Sequence, residues 1–133
     1  MRALRIGFPF SLGGGGPSVF MRRLRNSIAS QRLAHCSYFI DPRNDINLFA
    51  NRARSIYQIP YIFRVDGIHF EQMPHDIHAK QKNKGVFDGM DGSSGIVYQS
   101  AFDLALVTQF YGIPEKPFTV INNGINLDLF SPF

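Results

Sequence analysis

Short apolar runs bounded by glycine, proline or aspartate alternate along this chain with stretches whose apolar positions recur every three or four residues. Residues 5–10 form the first run, which ends at Gly13-Gly14-Gly15-Gly16-Pro17. Beyond it Phe20, Leu24 and Ile28 recur at four-residue spacing with Arg22, Arg23 and Arg25 mostly off the stripe, the pattern of an amphipathic helix. Residues 37–40 make a second β-prone run closed by Asp41-Pro42, and Ile46, Phe49, Ala50, Ala53 and Tyr57 then mark a helix face with Asn44 or Asp45 as its cap. Residues 60–65 read as a buried strand that runs out at Asp66-Gly67. From 68 to 95 the sequence is polar, glycine-rich and poorly periodic, an excursion with one helix around residues 79–87. A short strand follows at residues 95–98. Ser100 and Asp103 then have capping-box spacing, with aspartate in the glutamate's place. Phe102, Leu106 and Phe110 are the expected buried stripe of that helix, which Gly112 and Pro114 end. Residues 118–121 supply a last strand, and Asn122-Asn123-Gly124 turns the chain. Strands alternating with helices predict an α/β fold, a Rossmann-like parallel sheet of about five strands with helices on both faces.

The 133 residues are one domain's worth, and a hydrophobic fraction of 44% with 18% charged residues excludes disordered and fibrous classes. No apolar run approaches the roughly 20 residues of a membrane span, and the start shows neither a long apolar stretch nor a small-residue cleavage site, so the expected address is cytoplasmic. Cys36 is the single cysteine, read as a buried structural thiol. The net charge of +4 hides an asymmetry. Residues 1–65 hold ten arginines against Asp41 and Asp45, whereas residues 66–133 hold four lysines against eight acids. The first half is therefore anion-seeking: phosphate, an anionic membrane surface met peripherally, or an acidic partner domain suit Arg22, Arg23 and Arg25, with a solvated helix face as the plain alternative. Nucleic acid fits poorly, because the basic residues are not interleaved with exposed aromatics.

A glycine-rich turn between a first strand and a first helix leaves backbone N–H groups facing the positive end of the helix dipole, which suits a phosphate or a sugar hydroxyl. The dinucleotide fingerprint fits poorly, with Ser18 where its third glycine belongs, and no Gly-Lys-Ser/Thr follows to make a P-loop. Arg64 and Asp66 end a predicted central strand at the edge where open α/β sheets bind ligands. Two residues apart, they share a face, so ligand contact and a mutual ion pair are both open. His69, His75 and His78 are read as surface histidines rather than metal ligands, residues 88–95 lack the glutamate of a calcium loop, and no nucleophilic triad is grouped.

Four blocks then appear in a telling order. Gly13-Gly14-Gly15-Gly16-Pro17-Ser18-Val19-Phe20 with Leu24 resembles the glycine loop and first helix of family 4 glycosyltransferases. Pro60-Tyr61-Ile62-Phe63-Arg64-Val65-Asp66-Gly67 resembles the strand that ends in their acceptor-side cleft, and Ile96-Val97-Tyr98-Gln99-Ser100 the strand before their last amino-domain helix. The most specific block, residues 120–132 around Asn122-Asn123-Gly124, is similar to the segment leading into their second domain. The resemblance implies the amino-terminal half of a GT-B fold: residues 1–124 as the acceptor-side Rossmann-like domain, and 125–133 as the start of a linker to a missing donor-binding domain. It implies a retaining hexosyl transfer from a nucleotide sugar, a co-substrate rather than a cofactor, to a sugar or glycan acceptor. Gly13, Gly14, Gly15 and Gly16 would approach donor phosphates or acceptor, and Ser100 and Asn123 would line the cleft. Arg64 and Asp66 are taken as further substrate contacts.

Two departures qualify the match. Where many members end the central strand with histidine this chain has Asp66, the one weak catalytic candidate. Glu71 and Glu115 are the only glutamates, too far apart for the family's paired-glutamate motif, so the chain alone is expected to be inactive. The competing reading is a non-catalytic glycan- or phosphate-binding module, or a remnant pairing with a separate donor domain. An exposed apolar face around Leu127, Leu129, Phe130 and Phe133 would favour homo-oligomers.

Overall fold

In a computed structural model, which describes residues 2–9, 15–54, 57–70 and 77–124, the strands pair into one six-stranded, all-parallel sheet. The elements in chain order are β1 (Arg5–Gly7), α1 (Gly16–Ser30), β2 (His35–Ser37), β3 (Ile46–Ala50), β4 (Tyr61–Val65), α2 (Ile77–Gly92), β5 (Gly95–Tyr98), α3 (Ala101–Tyr111) and β6 (Phe118–Val120). The sheet order is β2-β1-β3-β4-β5-β6. The α/β, Rossmann-like class is as the alternation of patterns predicts, with six strands in place of about five.

The additional strand is β3, where a helix was expected. Its spacing of Ile46, Phe49 and Ala50 is compatible with both periods, and the topology decides: β3 lies between β1 and β4, with Asn47 and Phe49 buried and Ile46, Leu48 and Ala50 half-buried. Such a strand carries apolar residues on both sides, so its pattern is a continuous run rather than an alternation. Asn44 and Asp45 are not helix caps. Asn44 donates to Asn47 Oδ1 at 3.0 Å, and Asp45 accepts the Arg5 amide at 2.8 Å, holding the entry to β3 against β1.

Successive residues of β4 point to opposite faces, and this sorts the helices. The Arg64 guanidinium lies 3.6 Å from the Phe20 ring centroid of α1, while Phe63 meets α2, so α1 covers one face and α2 the other. The main core lies on the Phe63 face: Phe49, Tyr61, Phe63, Val65, Ile96 and Tyr98 from the sheet against Val86 and Met90 of α2 and Val107 of α3. Gly89 lies where α2 meets the sheet. A Cβ there would overlap the Phe63 ring, so the helix reaches the sheet only without one. The glycine-rich run expected as loop is therefore helix as far as Gly92, and α2 is longer than the helix foreseen at residues 79–87.

α3 has the foreseen cap but not the foreseen stripe. Ser100 Oγ accepts the Asp103 amide at 3.0 Å, and Gly112 ends the helix at φ 104°. Phe102 and Phe110 are 75% and 57% exposed, whereas Asp103 and Val107 are buried and Leu104 packs on the core. The helix is apolar on most sides, so spacing alone did not set its phase. The cap does, because fixing Ser100 at the sheet edge turns Asp103 and Val107 inward. Two shorter shifts complete the picture: β2 spans His35–Ser37 rather than residues 37–40, and Cys36 is half-buried rather than fully buried. In α1, Met21 is the buried residue beside the half-buried Phe20, Leu24 and Ile28. Residues 125–133, including Leu127, Leu129, Phe130 and Phe133, lie outside the described residues.

Candidate functional site

The carboxyl ends of β4, β5 and β6 bring together a polar network that runs from the buried Arg64 to the exposed Asn123. Arg64 is 2% exposed, its guanidinium roofed by Phe20, with Nη1 2.6 Å from Asp66 Oδ1 and Nη2 donating to Asn123 Oδ1 at 2.7 Å. Asn123 Nδ2 in turn donates to Gln99 Oε1 at 2.9 Å, and Gln99 Nε2 donates to the Asp66 carbonyl at 2.9 Å. The Asp66 amide donates to Asn51 Oδ1 at 3.2 Å. The ends of β3, β4, β5 and β6 are thus tied through side chains rather than through the strand ladder.

Electrostatics inside the network are tight. Burial lowers the Arg64 pKa, and burial raises that of Asp66 against the opposing pull of Arg64. Asp103 is 3% exposed, and neither of its carboxylate oxygens has a well-formed hydrogen bond among the described residues. Burial first, and the nearby Asp66 charge second, push its pKa up to about 6, although the Gln99 amide and Arg64 pull the other way. The buried Tyr98 hydroxyl is likewise unpartnered, and burial, then the charge on Asp103, raises it to about 12.

Beside this network, between α1 and the segment that follows β6, an open groove of about 770 Å3 is lined by Gly16, Val19, Phe20, Arg23, Leu24, Ser27, Asn123 and Gly124. Its wall is apolar along α1 with Arg23, Ser27 and the Asn123 carboxamide as polar points, a mixture that accepts the apolar face and hydroxyls of a sugar-like ligand. Among the residues singled out from the sequence, Gly16 and Asn123 line this groove, while Arg64 and Asp66 lie beneath it as the ion pair that their i, i+2 spacing allows. Ser100 stands apart as the α3 cap. Gly15 has an extended backbone with open space around it, and Gly13 and Gly14 fall outside the described residues. Asp66 faces Arg64 rather than the groove opening. His69 is anchored through its backbone to the Asn83 carboxamide, and His75 lies outside the described residues. Three participants are not among the site residues singled out from the sequence: Phe20 as roof, Gln99 as bridge and Asp103 as buried acid. Phe20 and Gln99 stand inside the resembling blocks without a site role, and Asp103 left the spacing from Ser100 that puts it in the first turn of α3.

No protein-family model matches the chain, and no curated protein matches it.

Proposed function

We propose that this chain is the acceptor-side half of a retaining glycosyltransferase, holding a sugar or glycan in the groove between α1 and Asn123. The observation that carries the reading is positional. Gly16 from the first resembling block and Asn123 from the last line one groove, over Arg64 and Asp66 from the second and Gln99 from the third. Blocks that are separate in sequence meet at the carboxyl edge of a parallel sheet, where open α/β folds bind ligands.

In this reading the network is the rigid floor of the acceptor site. Arg64 holds the Asn123 carboxamide oxygen and Gln99 the carboxamide nitrogen, which fixes the rim of the groove. Sugar rings stack on apolar walls and are oriented by a few fixed polar groups, which Phe20, Leu24 and Val19 on one hand and Arg23, Ser27 and Asn123 on the other supply. The two glutamates, Glu71 and Glu115, are too far apart in sequence for the paired-glutamate motif of the resembling family, so in this reading donor binding and the chemical step come from a second domain, with the nucleotide sugar as co-substrate. A second reading is favoured by one observation. Of the acids at this edge, Asp103 is buried and the partly buried Asp66 is already paired with Arg64, which suits a saccharide-binding module without transfer.

Screening the purified chain against a panel of oligosaccharides and glycosides by saturation-transfer magnetic resonance tests the reading. Binding that Asn123→Ala weakens is expected, with no turnover of nucleotide sugars by the chain alone. Absence of any saccharide binding would remove both readings, and robust turnover would overturn the assignment of the donor site to another domain.

A further inference from the structure

A second cavity, of about 500 Å3, opens on another flank of α1. It lies where Pro9 follows β1 and where Ala50 and Asn51 end β3. These strands are neighbours in the sheet, yet the chain leaves β1 toward β2 on one side and β3 toward β4 on the other. Connections that diverge in this way leave a crevice at the carboxyl edge, and it is there that open α/β sheets take their ligands.

The crevice is cationic. Arg52 and Arg54 both line it, and among the described residues none that lines it is acidic and neither arginine makes an ion pair. The acids of the basic half are engaged elsewhere, Asp41 with Arg43 and Asp45 with Arg2. A built turn sets the arginines in place. Asn51 holds a φ of 59°, uncommon for a residue other than glycine, in a tight turn closed by the Arg52 amide on the Ala50 carbonyl at 2.7 Å. The Asn51 carboxamide accepts the Asp66 amide, so the turn is locked to the end of β4. Arg64, by contrast, is not available to a ligand, since Asp66, Asn123 and Phe20 enclose it.

We propose that this crevice binds the phosphate of a small phosphomonoester, with Arg52 and Arg54 as its ligands. Guanidinium groups match phosphate oxygens in geometry as well as charge. The Ser18 hydroxyl adds a donor, and Pro9, Met21 and Phe49 give the remaining body of the ligand an apolar wall. The site is separate from the saccharide groove, and each is tested by variants that leave the other untouched.

The test is an amide chemical-shift titration of the isotope-labelled chain with inorganic phosphate and with phenyl phosphate. Saturating shifts at Ser18, Asn51, Arg52 and Arg54 are expected, with phenyl phosphate bound at least as well. The Arg52→Gln/Arg54→Gln variant should bind about tenfold or more weakly, and Arg22→Gln/Arg32→Gln, the same charge loss on the exposed surface of α1 and the turn after it, should bind as the parent does. Shifts confined to the Arg22 to Arg25 surface, an equal loss in both double variants, or no saturable shift would overturn the proposal. So would Arg52- and Arg54-dependent attachment to vesicles of anionic phospholipid without any response to soluble phosphate. The parent's shift map decides the matter even where the glutamine variant does not fold.

Discussion

Arg64 carries a charge into a place where water cannot reach it, and Asp66, Asn123 and the Phe20 ring replace that water. Removing one member of such a pair leaves the other buried and uncompensated, which costs ~3–5 kcal/mol, whereas replacing both by neutral groups of similar shape is far milder. Arg64→Met should therefore lower the urea midpoint severely, and Arg64→Met/Asp66→Asn should recover much of the loss. Equal destabilisation by the single and double variants would show that the pair is not the source. Asp103 gives the pH dependence. Its folded-state pKa of about 6 lies above the ordinary 3.8, so the folded chain binds this proton more tightly than the unfolded one. Stability should accordingly rise as pH falls from about 7 through 6 towards 4, and the ionised carboxylate should cost on the order of 3 kcal/mol above that window. Asp66, also raised by burial, acts in the same direction. Asp103→Asn should stabilise the fold at neutral pH and flatten the profile between pH 4 and 7, as read from urea unfolding at a series of pH values. A variant as pH-dependent as the parent would contradict the assignment.

At the scale of elements, what the sequence disclosed depended on whether one feature or two competing ones set each segment. β4 and β5 were legible because glycine bounds each short apolar run, Gly67 after β4 and Gly95 at the start of β5, and the start of α3 because Ser100 and Asp103 set its cap. β3 was not, since a central strand with apolar residues on both sides shows the continuous apolar pattern that a helix can also show. The stripe of α3 was misplaced because an almost wholly apolar helix has no contrast to read. The Arg64–Asp66 pair was visible in its spacing, but Gln99 and Phe20 join it only through strand order and helix crossing, which no local pattern encodes. The cap itself is testable: Ser100→Ala removes the acceptor of the Asp103 amide and should cost ~1 kcal/mol. Because this cap also phases α3, the variant should shift the apparent pKa of Asp103. A change in stability with that pKa unmoved would separate the cap from the phasing.

For the molecule as a whole, the unequal cover of the sheet matters most. Among the described residues α1 alone packs on the Arg64 face, and β6 is an exposed edge strand with Phe118, Val120 and Ile121 open to solvent. An unpaired edge flanked by apolar side chains favours association. Light scattering should show a mass that grows with concentration, and Ile121→Lys should reduce it; a strict monomer throughout the range would contradict this. The same half-covered face holds the groove on which the functional proposal rests. The most direct measurement is an amide shift map of the isotope-labelled chain with a saccharide that the binding screen identifies. The account predicts perturbation concentrated at Gly16, Phe20, Leu24, Asn123 and Gly124, and lost in Asn123→Ala, whereas perturbation centred on α2 or α3, with the groove residues unmoved, would contradict it.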